Sequence, residues 1–366
     1  MDKVKYASSK YKGEIKQVVM ACNSLRKDKD YPVDITLAEF VNQRWGISME
    51  TFYDDLGLNL NIDSINNIFT MPDESVRWLV PEIIRDALRL GLRKAPIWAD
   101  LIVAEQTVSQ PSVTIPSWNM SDAQPKYVGE GETIQKGALS FGQKNLKLRK
   151  IGRGISTTYE TINYVTANVI AIFLQDFGVK LNSGIDSLMI DTLINGEQAD
   201  GSESAPVVGV TTPATFVYKD LLRVWIRMAR IGRTPSAIIG GEAAAIDTLD
   251  LAEFKTRQNA GPTFKTLDLK TPIPSTAAYY IHGVMPANQQ MVIDRSAAII
   301  KYNAQPLLVE EEKMVSNQTV ATYASLTTGF GILYRDARVI IDKSLNINAA
   351  NFPAYMDVDP LENVDF

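Results

Sequence analysis

TTYETINYVTANVIAIFLQDFGVKLNSGIDSLMIDTLIN, residues 157–195, is the stretch on which the fold turns. Ile162, Val165, Val169, Phe173, Phe177, Leu181, Ile185 and Leu188 recur at steps of three or four, the spacing that places side chains on one helix face. Thr157 followed by Glu160 has the pattern of a capping box, and Asn195-Gly196 supplies a left-handed stop. A helix of this length would run about 50 Å, well beyond the few turns usual in a globular domain, and reads as a strut. Thr166 or Gly178 could break or bend it. A short helix over 158–164 followed by a long one fits the pattern equally well, and so does a long core helix of an ordinary domain.

Of the 366 residues 45% are hydrophobic and 22% charged, a globular composition with length enough for two or more substructures. A net charge of −5 argues against general affinity for nucleic acid. Cys22 is the sole cysteine, which excludes an intrachain disulfide and fits a reducing cytoplasm; no Cys/His cluster offers a metal site. No signal peptide is expected at the start, and no run of about 18 apolar residues suggests a membrane span.

Upstream of the strut, residues 10–70 read as a small helical module. Thr36 caps LAEFVNQRWG and Ser48 caps METFYDDLG, two helices whose Trp45-Gly46-Ile47-Ser48 turn resembles a helix-turn-helix. The second carries Glu50, Asp54 and Asp55 and no base, so it would meet phosphate with like charge; a hairpin packed on itself or a neighbour is the better reading. Residues 72–95 are helical, restarting at Pro81. After Pro96 the character turns to strand in IWADLIVAEQTV and PSVTIPSWNM. Residues 121–142 are rich in Gly, Gln, Lys and Glu and cannot make a core of their own; so long a loop between strands is functional or completed by a partner. NLKLRKIGRGIS, 145–156, alternates as a strand leading into the strut.

Downstream, a helix over 218–231, a strand over 235–240 and a helix over 241–252 suggest an α/β lobe. The runs AAYYIHGVM, QQMVIDRSAAIIKY and QPLLVEEEKMV, then residues 319–344, read as returning strands.

This order of parts resembles that of the HK97-type major capsid proteins of tailed double-stranded DNA bacteriophages and the encapsulins that share their fold. Local residues are similar too. YVGEGET at 127–133, SFG at 140–142, KLRK at 147–150, Ser156 and Glu160 resemble the family's extended loop and its return strand. PSAII at 235–239, MVIDR at 291–295, Gly329 to Gly331 and DARVI at 336–340 resemble its A-domain and closing strands. The similarity covers about residues 72–343.

The resemblance implies an α+β, HK97-like capsid fold with an N-terminal helical extension at 1–70, an N-arm at 71–106 and an E-loop at 107–145. The P-domain strand and spine helix would occupy 146–204, the A-domain 205–300, returning strands 301–345 and a tail 346–366. It implies a non-enzymatic shell protein forming the hexamers and pentamers of an icosahedral virion capsid, assembled in the host cytoplasm around double-stranded DNA. Further partners would be portal, scaffold or decoration proteins; no membrane and no cofactor are expected. An encapsulin-type compartment is the nearest alternative, and a soluble α/β enzyme a distant one.

Candidate sites point the same way. His282, the only histidine, sits in an apolar strand-like run with no nucleophile motif beside it, so a structural role is expected and no catalytic residue is assigned. Gly152-Arg153-Gly154 and Gly129-Glu130-Gly131 are too short for phosphate loops and read as turns or bends. Lys144, Lys147, Arg149, Lys150 and Arg153 form a run of five cations with no acid between them. An acidic face on a neighbouring subunit is the preferred counterpart, with Glu310, Glu311 and Glu312 as its candidate; a solvated face is the plain alternative. Alternation along a strand would split those three glutamates between its faces. Trp118, Met120 and Tyr127 are the side chains most able to anchor the loop on a neighbour.

Overall fold

The computed structural model describes residues 14–26, 35–64, 68, 78–110, 112–118, 128, 130, 131, 133, 139–197, 203–251 and 277–356. The chain forms two compact units. One gathers Met1–Pro96, Ile151–Gly184 and Leu307–Leu326, the other Ile97–Lys150, Ile185–Pro306 and Thr327–Phe366.

In the first unit, helices α1 (Glu14–Arg26), α2 (Leu37–Trp45), α3 (Met49–Asp55) and α4 (Leu79–Leu92) precede helix α6 (Tyr159–Tyr164) and the first half of helix α7 (Ala167–Asn195). Both sides of the Thr36–Glu39 capping box are made, and Gly46 closes α2 at φ 68°. Ser48 accepts the Thr51 amide at the start of α3. Trp45 stacks on the fully buried Phe52, ring centroids 5.6 Å apart, so the resemblance to a helix-turn-helix resolves into a hairpin packed on itself. These helices have no core to themselves: Ile15, Val18, Leu37, Val41 and Phe52 belong to one cluster with Leu88 of α4 and Leu174, Phe177 and Leu181 of α7.

The strut is two helices. Its cap is Thr158, whose hydroxyl accepts from the Thr161 amide, because strand β4 (Arg149–Thr158) keeps Thr157 extended. Val165 is extended and breaks the run before α7. On α7 the buried stripe is Leu174, Phe177, Leu181, Ile185, Met189 and Leu193, while Val169 and Phe173 face solvent. Gly178 does not break the helix; it lets α4 approach. Gly196 ends the strut at φ 78°, as its sequence suggests.

In the second unit, strands β5 (Val207–Val210), β6 (Ala237–Gly240), β7 (Ala278–Ile281), β8 (Gln289–Ile293) and β11 (Arg338–Asn346) form a sheet ordered β5-β11-β8-β6-β7. Pairs β11–β5 and β6–β7 are parallel, β11–β8 and β6–β8 antiparallel. Helix α8 (Tyr218–Arg230) lays Leu221, Val224 and Met228 on Val208, Ile238, Val292 and Val339. Helix α5 is Ile97–Leu101 and helix α9 is Glu242–Asp250. This is the expected α/β lobe.

The strands after it divide differently from their apolar runs. Asp294 ends β8 by accepting the Ser296 amide and hydroxyl and the Thr234 amide, a side-chain turn that splits QQMVIDRSAAIIKY. Its second half fuses with QPLLVEEEKM into one long strand, β9 (Ile299–Met314). A 3₁₀ turn at Val315–Asn317 leads to β10 (Thr319–Ile332). With β1 (Ile102–Thr107), parallel to β9, these form a sheet ordered β1-β9-β10-β4.

Candidate inter-subunit interface

Strand β2 (Ser112–Trp118) pairs antiparallel with β3 (Leu139–Lys147), from Ser112 opposite Lys147 to Trp118 opposite Leu139. The register slips between Ile115 and Ser117, where Pro116 has no amide to donate. The ribbon is a two-stranded sheet separate from the other two. Such a ribbon is marginal unless something else covers it. Its base is rooted where Leu146 and Leu148 bury against Tyr302, with Val113, Val108 and Ile300 packed around them.

Of the expected anchors, Trp118 lies at the end of β2 remote from that base, while Met120 and Tyr127 lie outside the described residues. Lys144 is in β3 opposite Ile115. Lys147, Arg149, Lys150 and Arg153 are all exposed, alternating with buried Leu146 and Leu148 and half-buried Ile151. Among the described residues none of these four cations has an ion-pair partner. Glu310, Glu311 and Glu312 are also all exposed, as a solvated run is, because β9 is open to solvent on both faces at these positions.

Gly152 and Gly154 are a correction: both are extended residues of β4, not a turn. A Cβ on Gly152 would lie 2.8 Å from Ser325 Cβ, and one on Gly154 2.6 Å from the Tyr323 ring, so the glycines admit the side chains of β10. Gly131 does sit in a turn, at φ 84°. His282 follows β7 in a loop, where its Nδ1 accepts the Val284 amide at 3.2 Å. Asp186 accepts the Trp98 amide at 2.8 Å, and burial raises its carboxyl above the usual range. Arg338 was not singled out from sequence although it is fully buried in β11. It donates to the carbonyls of Leu193, at 2.7 Å, and Glu203, tying the end of α7 to the sheet. An arginine inside the apolar run RVII was the available signal. Among the described residues no helix is long and apolar enough to cross a membrane, and no group of His, Cys, Asp and Glu is placed to hold a metal ion.

No family model and no curated protein matches the chain. Solved structures do. The capsid of an empty GTA particle superposes with a TM-score of 0.50 at 11% identity, covering 68% of this chain and 90% of that one. The capsid of the native GTA particle gives 0.50 at 11%, covering 67% and 89%. A virus-like particle from Pyrococcus furiosus gives 0.48 at 13%, covering 71% and 97%. The chain has the α+β, HK97-like capsid fold.

Proposed function

We propose that this chain is a major capsid protein that assembles with copies of itself into hexamers and pentamers of an icosahedral shell around double-stranded DNA, without catalysing a reaction. The observation that carries the reading is the β2–β3 ribbon, a two-stranded sheet on a capsid fold, paired with neither of the other two sheets and rooted at its base on Tyr302. A neighbouring subunit supplies the burial that the ribbon lacks. In this reading 107–145 is the E-loop, β4 and α7 belong to the P-domain at 146–204, and β5 to β8 belong to the A-domain at 205–300, whose sheet β11 completes from the returning strands. The N-terminal extension is 1–70, the N-arm 71–106, the returning strands 301–345 and the tail 346–366. Trp118, Met120 and Tyr127 anchor the loop on a neighbour. Lys144, Lys147, Arg149, Lys150 and Arg153 meet the acids Glu310, Glu311 and Glu312 across the interface. The shell is the virion capsid, assembled in the host cytoplasm with portal, scaffold or decoration proteins.

Electron microscopy of the purified protein tests this. Closed shells are expected, and a small oligomer of uniform size would refute the reading. Double-stranded DNA is expected in particles from producing cells; a protein cargo in its place would make the shell an encapsulin-type compartment.

A further inference from the structure

Helices α8 and α9 of the α/β lobe each leave one side open, and the two sides carry opposite charge. On α8, Leu221, Val224 and Met228 face the sheet. Lys219, Ile226 and Arg230, at i, i+7 and i+11, fall on one line along the outside, and all three are exposed, Ile226 at 58%. Arg223, half-buried beside that line, is paired with Asp220, whose side chain is buried. Among the described residues Lys219 and Arg230 have no ion-pair partner, so they set the charge of this stripe.

On α9, Ala244, Ala245 and Thr248 are buried. Glu242, Ile246 and Leu249, at i, i+4 and i+7, line the outside, with Ile246 61% and Leu249 42% exposed. Asp250 is exposed beside them, and Asp247 is paired with the mostly buried Lys343. Glu242 has no ion-pair partner among the described residues. Along the whole of each helix, α8 carries Lys219, Arg223, Arg227 and Arg230 against the single acid Asp220, while α9 carries three acids and no cation.

We infer that α8 of one copy packs against α9 of the next, with Ile226 set on Ile246 and Leu249 and with Lys219 and Arg230 facing Glu242 and Asp250. This contact rests on the shell-forming reading and adds a specific subunit junction to it. Charge complementarity selects a second copy as the occupant. Each stripe has an apolar centre with charge beside it, as an interface has, and every copy carries both signs. Either stripe set against its own kind would bring like charges together, so the contact joins unlike stripes, and unlike stripes repeated around an axis close into a ring. Two such short stripes bury little area, so the contact is weak singly and gains its strength from ring closure.

The full-length double variant I226C/I246C, assembled into particles, tests it under mild oxidation. The native Cys22 is fully buried and stays out of the reaction. Non-reducing gels should show a ladder of linked chains reaching pentamers and hexamers, and no ladder from either single variant. A ladder that stops at dimers, or closed shells without linked chains, would overturn the contact while leaving the shell reading intact. Wild-type protein that forms no shells would overturn the reading and the contact together. A charge exchange checks the same junction without cysteines. K219E/R230E should cut particle yield about tenfold, and adding E242K/D250K should restore it to within about threefold. A yield that stays low in the exchanged protein, with its subunits folded, overturns the contact. So do K219E/R230E shells of normal yield that hold less DNA, which would give the basic stripe to nucleic acid.

Discussion

Gly91 of α4 and Gly178 of α7 meet backbone to backbone. A Cβ on Gly178 would lie 2.9 Å from Gly91 Cα and 2.3 Å from the Leu88 carbonyl oxygen, and one on Gly91 would lie 2.1 Å from the Gln175 carbonyl oxygen. No flexible side chain can yield there, so the two helices must separate to admit a methyl group. Gly→Ala in a helix interior ordinarily gains about 1 kcal/mol, but overpacking costs about 1–3 kcal/mol or more. We expect G91A and G178A each to lose on the order of 2 kcal/mol in urea unfolding. Gly184, six residues along α7, is the control. Its Cβ would meet only Ile151 Cγ2 at 3.6 Å, so G184A should be neutral or gain up to about 1 kcal/mol. An equal loss in all three variants would refute the close-crossing account.

The N-terminal helices should remain in the mature particle. Besides sharing the core of α7, this region supplies the carbonyls of Asp63 and Leu60 that accept the Ala167 and Asn168 amides, at 2.9 and 3.0 Å. Those amides open α7 and have no partner within the helix. Asn168 also donates to Asn61 at 2.7 Å. Removing residues 1–70 would uncap α7 and strip its apolar side, so the truncated protein is expected to be insoluble. Mass spectrometry of mature particles should find the full-length subunit, and one beginning near residue 70 would contradict this.

Asp86 should make stability pH-dependent. Its carboxylate pairs with Arg26 at 3.0 Å and accepts the Leu37 amide at 2.8 Å, tying α1 and α2 to α4. Burial, reinforced by the charge of Glu82 and opposed by Arg26, pushes it up to about 6. A carboxyl raised in the folded state binds its proton more tightly there, so its contribution is complete below the unfolded value near 4. That contribution is lost as pH rises through about 6, on the order of 2–3 kcal/mol in all. Glu82 acts in the opposite sense. Burial raises it, but the Asn23 hydrogen bond and the charges of Arg26 and Arg85 outweigh burial and hold it below the usual range, so its contribution is lost as acid protonates it. Urea unfolding between pH 4 and 7 should therefore show a falling component in the wild type that D86N lacks. Parallel profiles would refute the assignment.

How far the fold was legible depended on whether a residue's neighbours lie near it in sequence. Thr36, Ser48 and Gly196 act within one turn of the chain, and each was readable as a cap or stop. Thr157 was misread because Thr158 and Thr161 offer the same chemistry one residue on, and only the pairing of β4 decides between them. On α7 the second half of the stripe was legible in Phe177, Leu181 and Ile185. The first half was not, since Ile170 and Leu174 are as apolar as Val169 and Phe173 and nothing local says which face is covered. Gly152 and Gly154 owe their smallness to Ser325 and Tyr323, more than 160 residues away, and so looked like a turn. The basic run was legible as exposed charge because buried leucines alternate with it.

The ribbon should be needed for assembly and not for folding. Replacing residues 110–144 with a short Gly-Ser turn removes β2 and most of β3, yet keeps Leu146, Leu148 and Tyr302, the buried members of the small cluster at its base. Of that cluster only Val113, itself half-buried, is lost, so the subunit should lose about 1–2 kcal/mol. What goes with the loop is its contact across the interface. Trp118, Met120 and Tyr127 are removed together, and aromatic anchors carry a disproportionate share of interface energy. The exposed cations left at 147–153 attract an acidic neighbour only over a screening length of about 8–10 Å at physiological ionic strength, too little to hold a shell alone. The deleted protein should be soluble, keep a cooperative unfolding transition and sediment as monomers or small oligomers under conditions where the intact chain forms shells. Closed shells of normal size from the deletion would show that the ribbon is dispensable, and loss of the folded monomer would show that it belongs to the subunit's own core.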